Sequence, residues 1–503
     1  MESSRGQYLT LAWREYHEST KHSIQSLSRG QRGLDWSNMP DPFRHYEGPP
    51  VLDLPADPPA PAVSALDLLH GALGVIDTID GPALLSQLLF HSAAISASKL
   101  VPSTGSRYAL RVNPSSGNLH PTEFHFRARG LNQWPGGLYH YRPSSHMVEQ
   151  RAIGDFNLEL GDNSSPIEFV LTSIAWREAW KYGERAYRYC LHDIGHAWQA
   201  LALSARAIGY DSAAVGHFPD DEVADLFRLR EDEWPMLVVQ LKSRSMPLRE
   251  PDPGERVWFE GCANQLSPRP LTYPRIDAIH AATKLKLGGG TQIPDTGPAR
   301  TGSGDIQLPP PASSTRPFGE VVRNRRSALD FQAGNRSLSL AQLSAILDTT
   351  AQPLFADFGG VHFIQLYLYA HRVDGLPPGV YRHWPDRSEL ELIKGGDQRV
   401  AAAGLSLGQD LAGNACVAFS MIADIDRAVC AYADRGYRYV HFEAGAIGQR
   451  MYLAAEALGL GATGIGAFYD DEVHRYLNLG PGEGQVIYHF AVGYPVPDPR
   501  LNA

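Results

Sequence analysis

The sequence lacks a membrane span, a secretion signal and a cysteine framework, and each absence narrows what the chain can be. No run of about eighteen apolar residues occurs anywhere. The opening MESSRGQYLTLAWREYHEST is polar and charged, without the apolar core of a signal peptide. Four cysteines, Cys190, Cys262, Cys416 and Cys430, are scattered without CxxC spacing. They fit neither a disulfide framework nor a zinc site, so a reducing, cytoplasmic setting is expected. Basic residues are also short: 45 Lys and Arg against 55 Asp and Glu, a net charge of −10. That balance argues against a generally basic nucleic-acid binder. No nucleic-acid or membrane partner and no metal are expected.

What is present is a long globular chain written partly twice. It has 503 residues, 43% apolar and 20% charged, too many for one ordinary domain and comfortable for two. WKYGERAYRY at 180–189 returns as CAYADRGYRY at 430–439. At a fixed offset of 250, residues 182–229 align with 432–479 without a gap. The pairs include Arg185/Arg435, Arg188/Arg438, Gly195/Gly445, Gln199/Gln449 and Gly216/Gly466, and Asp220-Asp221-Glu222-Val223 matches Asp470-Asp471-Glu472-Val473. A period this long means duplicated domains rather than a solenoid. Residues 287–317, rich in Gly, Pro, Ser and Thr, read as a linker. Domain one is then roughly 1–286 and domain two 318–503.

Each repeat reads as helix, turn, short strand, helix. Cys190, Ile194, Ala197, Trp198, Leu201, Ala205 and Ile208 recur at helical spacing, and Gly209 supplies a helix end. Strands are expected at 124–129, 166–172 and 236–241, then at 361–370, 415–422 and 485–493. Helices and strands mix without βαβ alternation, so the class is α+β. Two motifs mislead. GLGATG (459–464) matches GxGxxG but ends a helix and enters a strand, the reverse of a dinucleotide fingerprint. HDIGH (192–196) offers two histidines at i and i+4, but its copy FEAGA has neither, and no third ligand stands out.

Three stretches carry chemistry. In RVNPSSGNLHPTE, Pro114 fixes a turn and Ser115 and Ser116 supply donors. Gly117 permits close approach, and Asn118 can donate and accept. This suits the edge of a heteroaromatic ring, or merely a polar turn before a strand. In VVRNRRSALDF, Arg325, Arg326 and Ser327 can clamp a phosphate, or simply solvate a helix end. Lys181 and Tyr182 are neighbours before the repeat helix. A desolvated lysine there could take a proton, and a lone surface lysine is the alternative.

Together, PSSGN, RRSxxxF, KYxxRxYRY, the helix with Gly445 and Gln449, and the segment Gly464-Ile465-Gly466 resemble the nitroreductase superfamily of FMN enzymes. The SagB/ThcOx-type branch, which includes azoline dehydrogenases, is the nearer resemblance, and YHESTKHS (16–23) looks like its opening segment. The resemblance implies two tandem nitroreductase-like domains forming an intramolecular pseudo-dimer, with FMN between them. It implies that Arg325, Arg326, Ser327, Pro114, Ser115, Ser116, Gly117, Asn118, Gly464, Ile465, Gly466 and Arg500 bind FMN. Lys181 and Tyr182 would be the proton-transfer pair. Where that family has a basic residue two positions after RRS, this chain has Leu329. Domain two has TTAQPLFADFGGVHF (349–363) in place of PSSGN, and Ala431 in place of Lys181. The implied activity is dehydrogenation of a small-molecule or peptide-derived substrate, azoline-type or related, with hydride transfer to flavin. Two alternatives stay open: an NAD(P)H-dependent nitro or quinone reductase with NAD(P)H as electron donor, and a non-catalytic flavin-binding partner protein. Whether the fused chain dimerises further is also open.

Overall fold

The computed structural model describes residues 12–30, 33–75, 80–101, 105–158, 160, 165–242, 255–286, 296–297, 300–334, 336–359 and 362–501. Its core is two antiparallel sheets of the same design. In the first half β1 (Thr122–Ala128), β2 (Gly137–Arg142), β3 (Met147–Ile153), β4 (Ile167–Ser173), β5 (Asp211–Val215) and β6 (Trp234–Lys242) lie in the order β3-β2-β1-β4-β6-β5. In the second, β7 (Ile364–Ala370), β8 (Gly379–Trp384), β9 (Glu389–Gly395), β10 (Val417–Ala423), β11 (Gly461–Ile465) and β12 (Gln485–Gly493) lie in the order β9-β8-β7-β10-β12-β11. The expected strands fall on β1, β4, β6, β7, β10 and β12, with edges moved by at most three residues and those of β12 unmoved. β1, β4 and β10 are buried at every residue: β10 reads as an apolar run, whereas β1 alternates and buries Glu123, His125 and Arg127 on its second face.

The helices repeat as closely. α1 (Ala175–Tyr182), α2 (Ala186–Ala207) and α3 (Asp220–Phe227) return 250 residues later as α4 (Ile425–Tyr432), α5 (Gly436–Ala457) and α6 (Asp470–Leu477). Gly209 and Gly459, both at positive φ, follow the two long helices and turn the chain into β5 and β11. α3 and α6 each open on Asp-Asp-Glu, which suits the positive end of a helix dipole.

The repeated phrase is what joins the halves. Arg185 and Arg188 reach across to Asp470 at 3.0 and 2.8 Å. Arg435 and Arg438 reach back to Asp220 at 2.5 and 2.7 Å. All six side chains are buried. Burial alone would push both carboxyls up; the paired arginines outweigh it and hold both below the usual carboxylate range, Asp470 at about 2. Between the clamps α2 crosses α5 at Gly195 and Gly445, where a Cβ on either would collide with the facing backbone. This is an intramolecular pseudo-dimer held by two crossed ion-pair triads.

Tyr16 to Ser23, noted in the sequence, caps one clamp: the Thr20 hydroxyl and the His17 carbonyl accept from Arg188, and the His22 N–H donates to Asp470. Residues 287–295 and 298–299 of the expected linker lie outside the described residues. Further along it, Ile306–Gln307 pairs antiparallel with Glu389 and Leu390, and Leu308 is buried, so this stretch extends the second sheet.

Candidate functional site

A cavity of about 410 Å³ opens between the halves. The 114–118 turn and Tyr182 line it from the first half. Residues 325–327, residues 464–466 and Arg500 line it from the second. Thus thirteen of the fourteen residues singled out in the sequence share one cavity. Leu329 is also on its wall and half exposed.

Lys181 is the exception. It ends α1 beside the cavity and is exposed, with Nζ 5.2 Å from the centre of the Tyr182 ring. Both residues of the pair crowd Gly117. A Cβ there would lie 2.7 Å from the Tyr182 hydroxyl and 3.2 Å from Lys181 Nζ, and its φ is +58°. The positive φ favours glycine, and a Cβ would push both side-chain ends aside, so the PSSGN and Lys-Tyr motifs meet at this residue. No hydrogen bond of the Tyr182 hydroxyl is formed within the described residues. Burial, then Glu178, Tyr189 and Asp193, push its pKa up, so it is a phenol and a donor at neutral pH.

The turn spends much of its polarity internally. Ser115 Oγ accepts from the His120 N–H at 2.8 Å, and Asn118 Nδ2 donates to the Ala109 carbonyl at 2.9 Å. The Ser116 N–H and hydroxyl both donate to the buried Asp193 on α2.

The opposite end is cationic. Arg325 is buried, donates to the carbonyls of Arg111 and Val112, and keeps Nη1 without a partner. Arg111, also on the wall, has two unpartnered nitrogens. Burial lowers both guanidinium pKa values to about 10. A buried guanidinium short of acceptors is costly unless an anion meets it. The Tyr452 hydroxyl bonds Ser327 Oγ at 2.8 Å and accepts the Gly464 N–H at 2.9 Å, tying the clamp to the glycine segment. Arg500 pairs with Asp498, which also holds Lys99. This donor set, with a glycine segment leaving open space beside it, fits a phosphate-bearing planar cofactor.

The equivalent place in the other half is filled by the chain itself. The Asp357 carboxylate accepts the N–H groups of Gly216 and His217 at 2.7 and 3.0 Å. Phe358 stacks on Tyr439 at 4.2 Å and 9°. Ala356 bridges to Ala214 of β5. At the 250 offset these partners correspond to Gly466, Ala467, Tyr189 and Gly464, all on the wall of the open cavity. The plug is the segment that stands where PSSGN would be.

Sequence reasoning missed Asp193, Glu178, Arg111 and Tyr452. Asp193 stood inside HDIGH, where attention went to the histidines. His192 stacks on Tyr488 at 4.3 Å, and His196 bonds the Tyr488 hydroxyl and Gln449. Among the described residues no group of three His, Cys, Asp or Glu could hold a metal, and no helix is long and apolar enough to cross a membrane.

The profile of the nitroreductase family matches residues 93–241 and 322–494, one stretch in each half. A nitroreductase-like protein of Methanocaldococcus jannaschii is 31% identical over 167 residues, 32% of this chain and 83% of that protein. The trifolitoxin-processing protein TfxB of Rhizobium leguminosarum bv. trifolii is 23% identical over 243 residues. That match spans 44% of this chain and 63% of TfxB, under two thirds of its length. A crystal structure of a nitroreductase-like protein from Anabaena variabilis superimposes with a TM-score of 0.76 at 26% identity, covering 97% of this chain and all of the other. With one family match in each half and the same sheet order twice, the chain belongs to the nitroreductase family, as two copies joined in tandem.

Proposed function

We propose that the chain is an FMN-dependent oxidoreductase with one active site, in the open cavity, and that it dehydrogenates a small-molecule or peptide-derived substrate. The carrying observation is the convergence of a buried, under-satisfied arginine pair and a free phenol on one cavity built from both halves. Arg325, Arg326 and Ser327 would hold the FMN phosphate, and the 114–118 turn would face the ring edge. In the filled half a carboxylate takes two backbone N–H groups; in the open half the corresponding N–H groups of Gly466 and Ala467 would meet an acceptor on the ligand. Bound FMN would supply the two-electron acceptor. Lys181, as the neutral amine, would take up the proton released from the substrate and pass it to water at the exposed rim, while Tyr182 keeps its own proton and donates a hydrogen bond. A peptide-derived, azoline-type substrate is supported by the likeness to a trifolitoxin-processing protein and by the SagB/ThcOx-like Lys-Tyr pair.

The test begins with the isolated protein. It should be yellow and release FMN on denaturation; release of FAD, or a colourless protein that FMN does not reconstitute, overturns the assignment. Anaerobic mixing then sets the direction of electron flow. An azoline-type compound should bleach the flavin, with recovery in air, while rapid bleaching by NADH or NADPH alone would favour a reductase.

A further inference from the structure

Two carboxyl groups are buried behind the PSSGN turn, and the reading above gives neither a task. Glu178 of α1 and Asp193 of α2 are both fully or almost fully buried. Asp193 accepts three hydrogen bonds from Ser116, at 3.2 Å each. Glu178 Oε1 stands 3.5 Å from the Ser115 hydroxyl, and its Oε2 has no partner. The groups facing them are Lys181 and Tyr182 from α1, Cys190 from α2 and Tyr488 from β12. Lys181 is the one cation among these, and it is exposed. Two buried carboxylates cannot both ionise cheaply against so little positive charge.

The filled half shows what holding the turn alone requires. Asp193 corresponds to Glu443, which accepts the N–H groups of Phe363 and Ile364 at 3.0 and 3.1 Å and faces His362 at 3.3 Å. Glu178 corresponds to Ala428. One acid therefore suffices to anchor the segment, and the second exists only beneath the open cavity.

We propose that Glu178 and Asp193 share a proton beneath the Ser115–Gly117 turn, and that the turn keeps its ligand-binding form only while they do. Asp193, with two donors from Ser116, takes the ionised role; Glu178, with an unpartnered oxygen, keeps the proton. Both are positioning residues: they act on a ligand through the turn and, at Gly117, on Tyr182. Burial raises both groups, Asp193 to about 7 and Glu178 further through Asp193's charge. The sign follows. A carboxyl raised in the folded state favours folding at low pH, and that contribution is lost as pH rises from its ordinary value through the raised one. With Asp193 in the ionised role, the proton that counts is the one on Glu178, so the turn loosens as Glu178 ionises toward alkaline pH.

The proposal rests on the FMN reading only for its binding assay, so the test has two arms. The FMN dissociation constant and the thermal midpoint of the FMN-free protein are measured from pH 5 to 9 for wild type, Glu178→Gln and Asp193→Asn. Wild type should bind FMN progressively more weakly as pH rises above 7, by about tenfold once Glu178 is ionised, with a matching fall in midpoint. Glu178→Gln, neutral at every pH, should lose that alkaline limb; titration of the FMN phosphate is common to all variants. Asp193→Asn should weaken binding at every pH. An alkaline limb unchanged in Glu178→Gln overturns the proposal. Should a variant fail to fold, the infrared spectrum of wild type at pH 7.5 decides, since a buried protonated carboxylic acid must be seen and its absence overturns the pair. Should wild type bind no FMN at any pH, the FMN reading fails, and the midpoints of the FMN-free protein still judge the pair.

Discussion

The two pockets of this chain began from one plan and ended opposite. Both have a long helix with an aromatic, Tyr189 or Tyr439, a glycine segment and an arginine-gripped aspartate. In one, the glycine segment faces open space. In the other, Phe358 lies flat on Tyr439, and Asp357 occupies the two N–H groups that a ligand would use. Arg450 pins the base of this plug, donating to the carbonyls of Thr349, Gln352 and Pro353; its counterpart in the first half is Ala200. Duplication thus separated two tasks. The filled pocket contributes packing, and the open one keeps the cavity on which the proposed chemistry rests, with Lys181 beside it where the filled half has Ala431.

The largest expected effect tests that division directly. Lys181→Ala should retain FMN and lower turnover about 10²–10⁴-fold, the usual cost of removing a general base. The mirror change, Ala431→Lys, should alter turnover less than about twofold, because Asp357 and Phe358 fill the pocket of that half. Equal effects from the two changes, read as steady-state rates, would break the comparison. Arg325→Ala comes next. Removing a buried cation from a phosphate should raise the FMN dissociation constant about 10²–10³-fold. Arg450→Met should leave that constant within about threefold while lowering stability, since Arg450 holds the plug and not the ligand. FMN titration followed by fluorescence gives both numbers, and it should give one site per chain.

Much of this was legible in the sequence because duplication states its own alignment. The gapless 250 offset carried α2 onto α5 and α3 onto α6, and the RxYR phrase with DDEV marked both ends of each clamp, though not that they pair crosswise. The site motifs were legible for a similar reason: PSSGN, RRS and the Gly464–Gly466 segment each need a particular backbone shape. The rest depends on positions in space. Asp193 looks like a spacer between two histidines until Ser116 is seen to donate to it. Glu178 has no local signal at all. AQPLFADFGG reads as a degenerate loop; only its contact with Tyr439, some eighty residues later, makes it a plug. Residues 306–308 read as linker by composition and form an edge strand because Glu389 and Leu390 offer free backbone.

The plug can also be weighed by stability. Phe358 is buried against Tyr439 and Trp198. Phe358→Ala should cost about 3–5 kcal/mol, the usual range for truncating a buried aromatic. FMN stoichiometry should stay at one, because Asp357 still takes the two N–H groups. Chemical denaturation with a parallel flavin titration would read both. A loss under about 1 kcal/mol would mean that the filled pocket is not a packing element.

Acid titration should show the smallest effect, and it concerns the part of the molecule that stayed symmetric. Asp220 and Asp470 are each held by two arginines of the opposite half. Their folded pKa values lie below the ordinary carboxylate value, Asp470 at about 2. A group lowered on folding contributes stability above its unfolded value, and that contribution is lost as pH falls through the folded one. The window is therefore roughly pH 4 down to 2, and the Asp470 contribution is about 2–3 kcal/mol. Asp470→Asn and Asp220→Asn should each remove one step of the acid transition, by similar amounts, followed by circular dichroism. They should do so although one clamp lies beside an open pocket and the other beside a filled one. Strongly unequal losses would mean that the plug has taken over part of the work of its neighbouring clamp, and that the halves diverged in their joint as well as in their pockets.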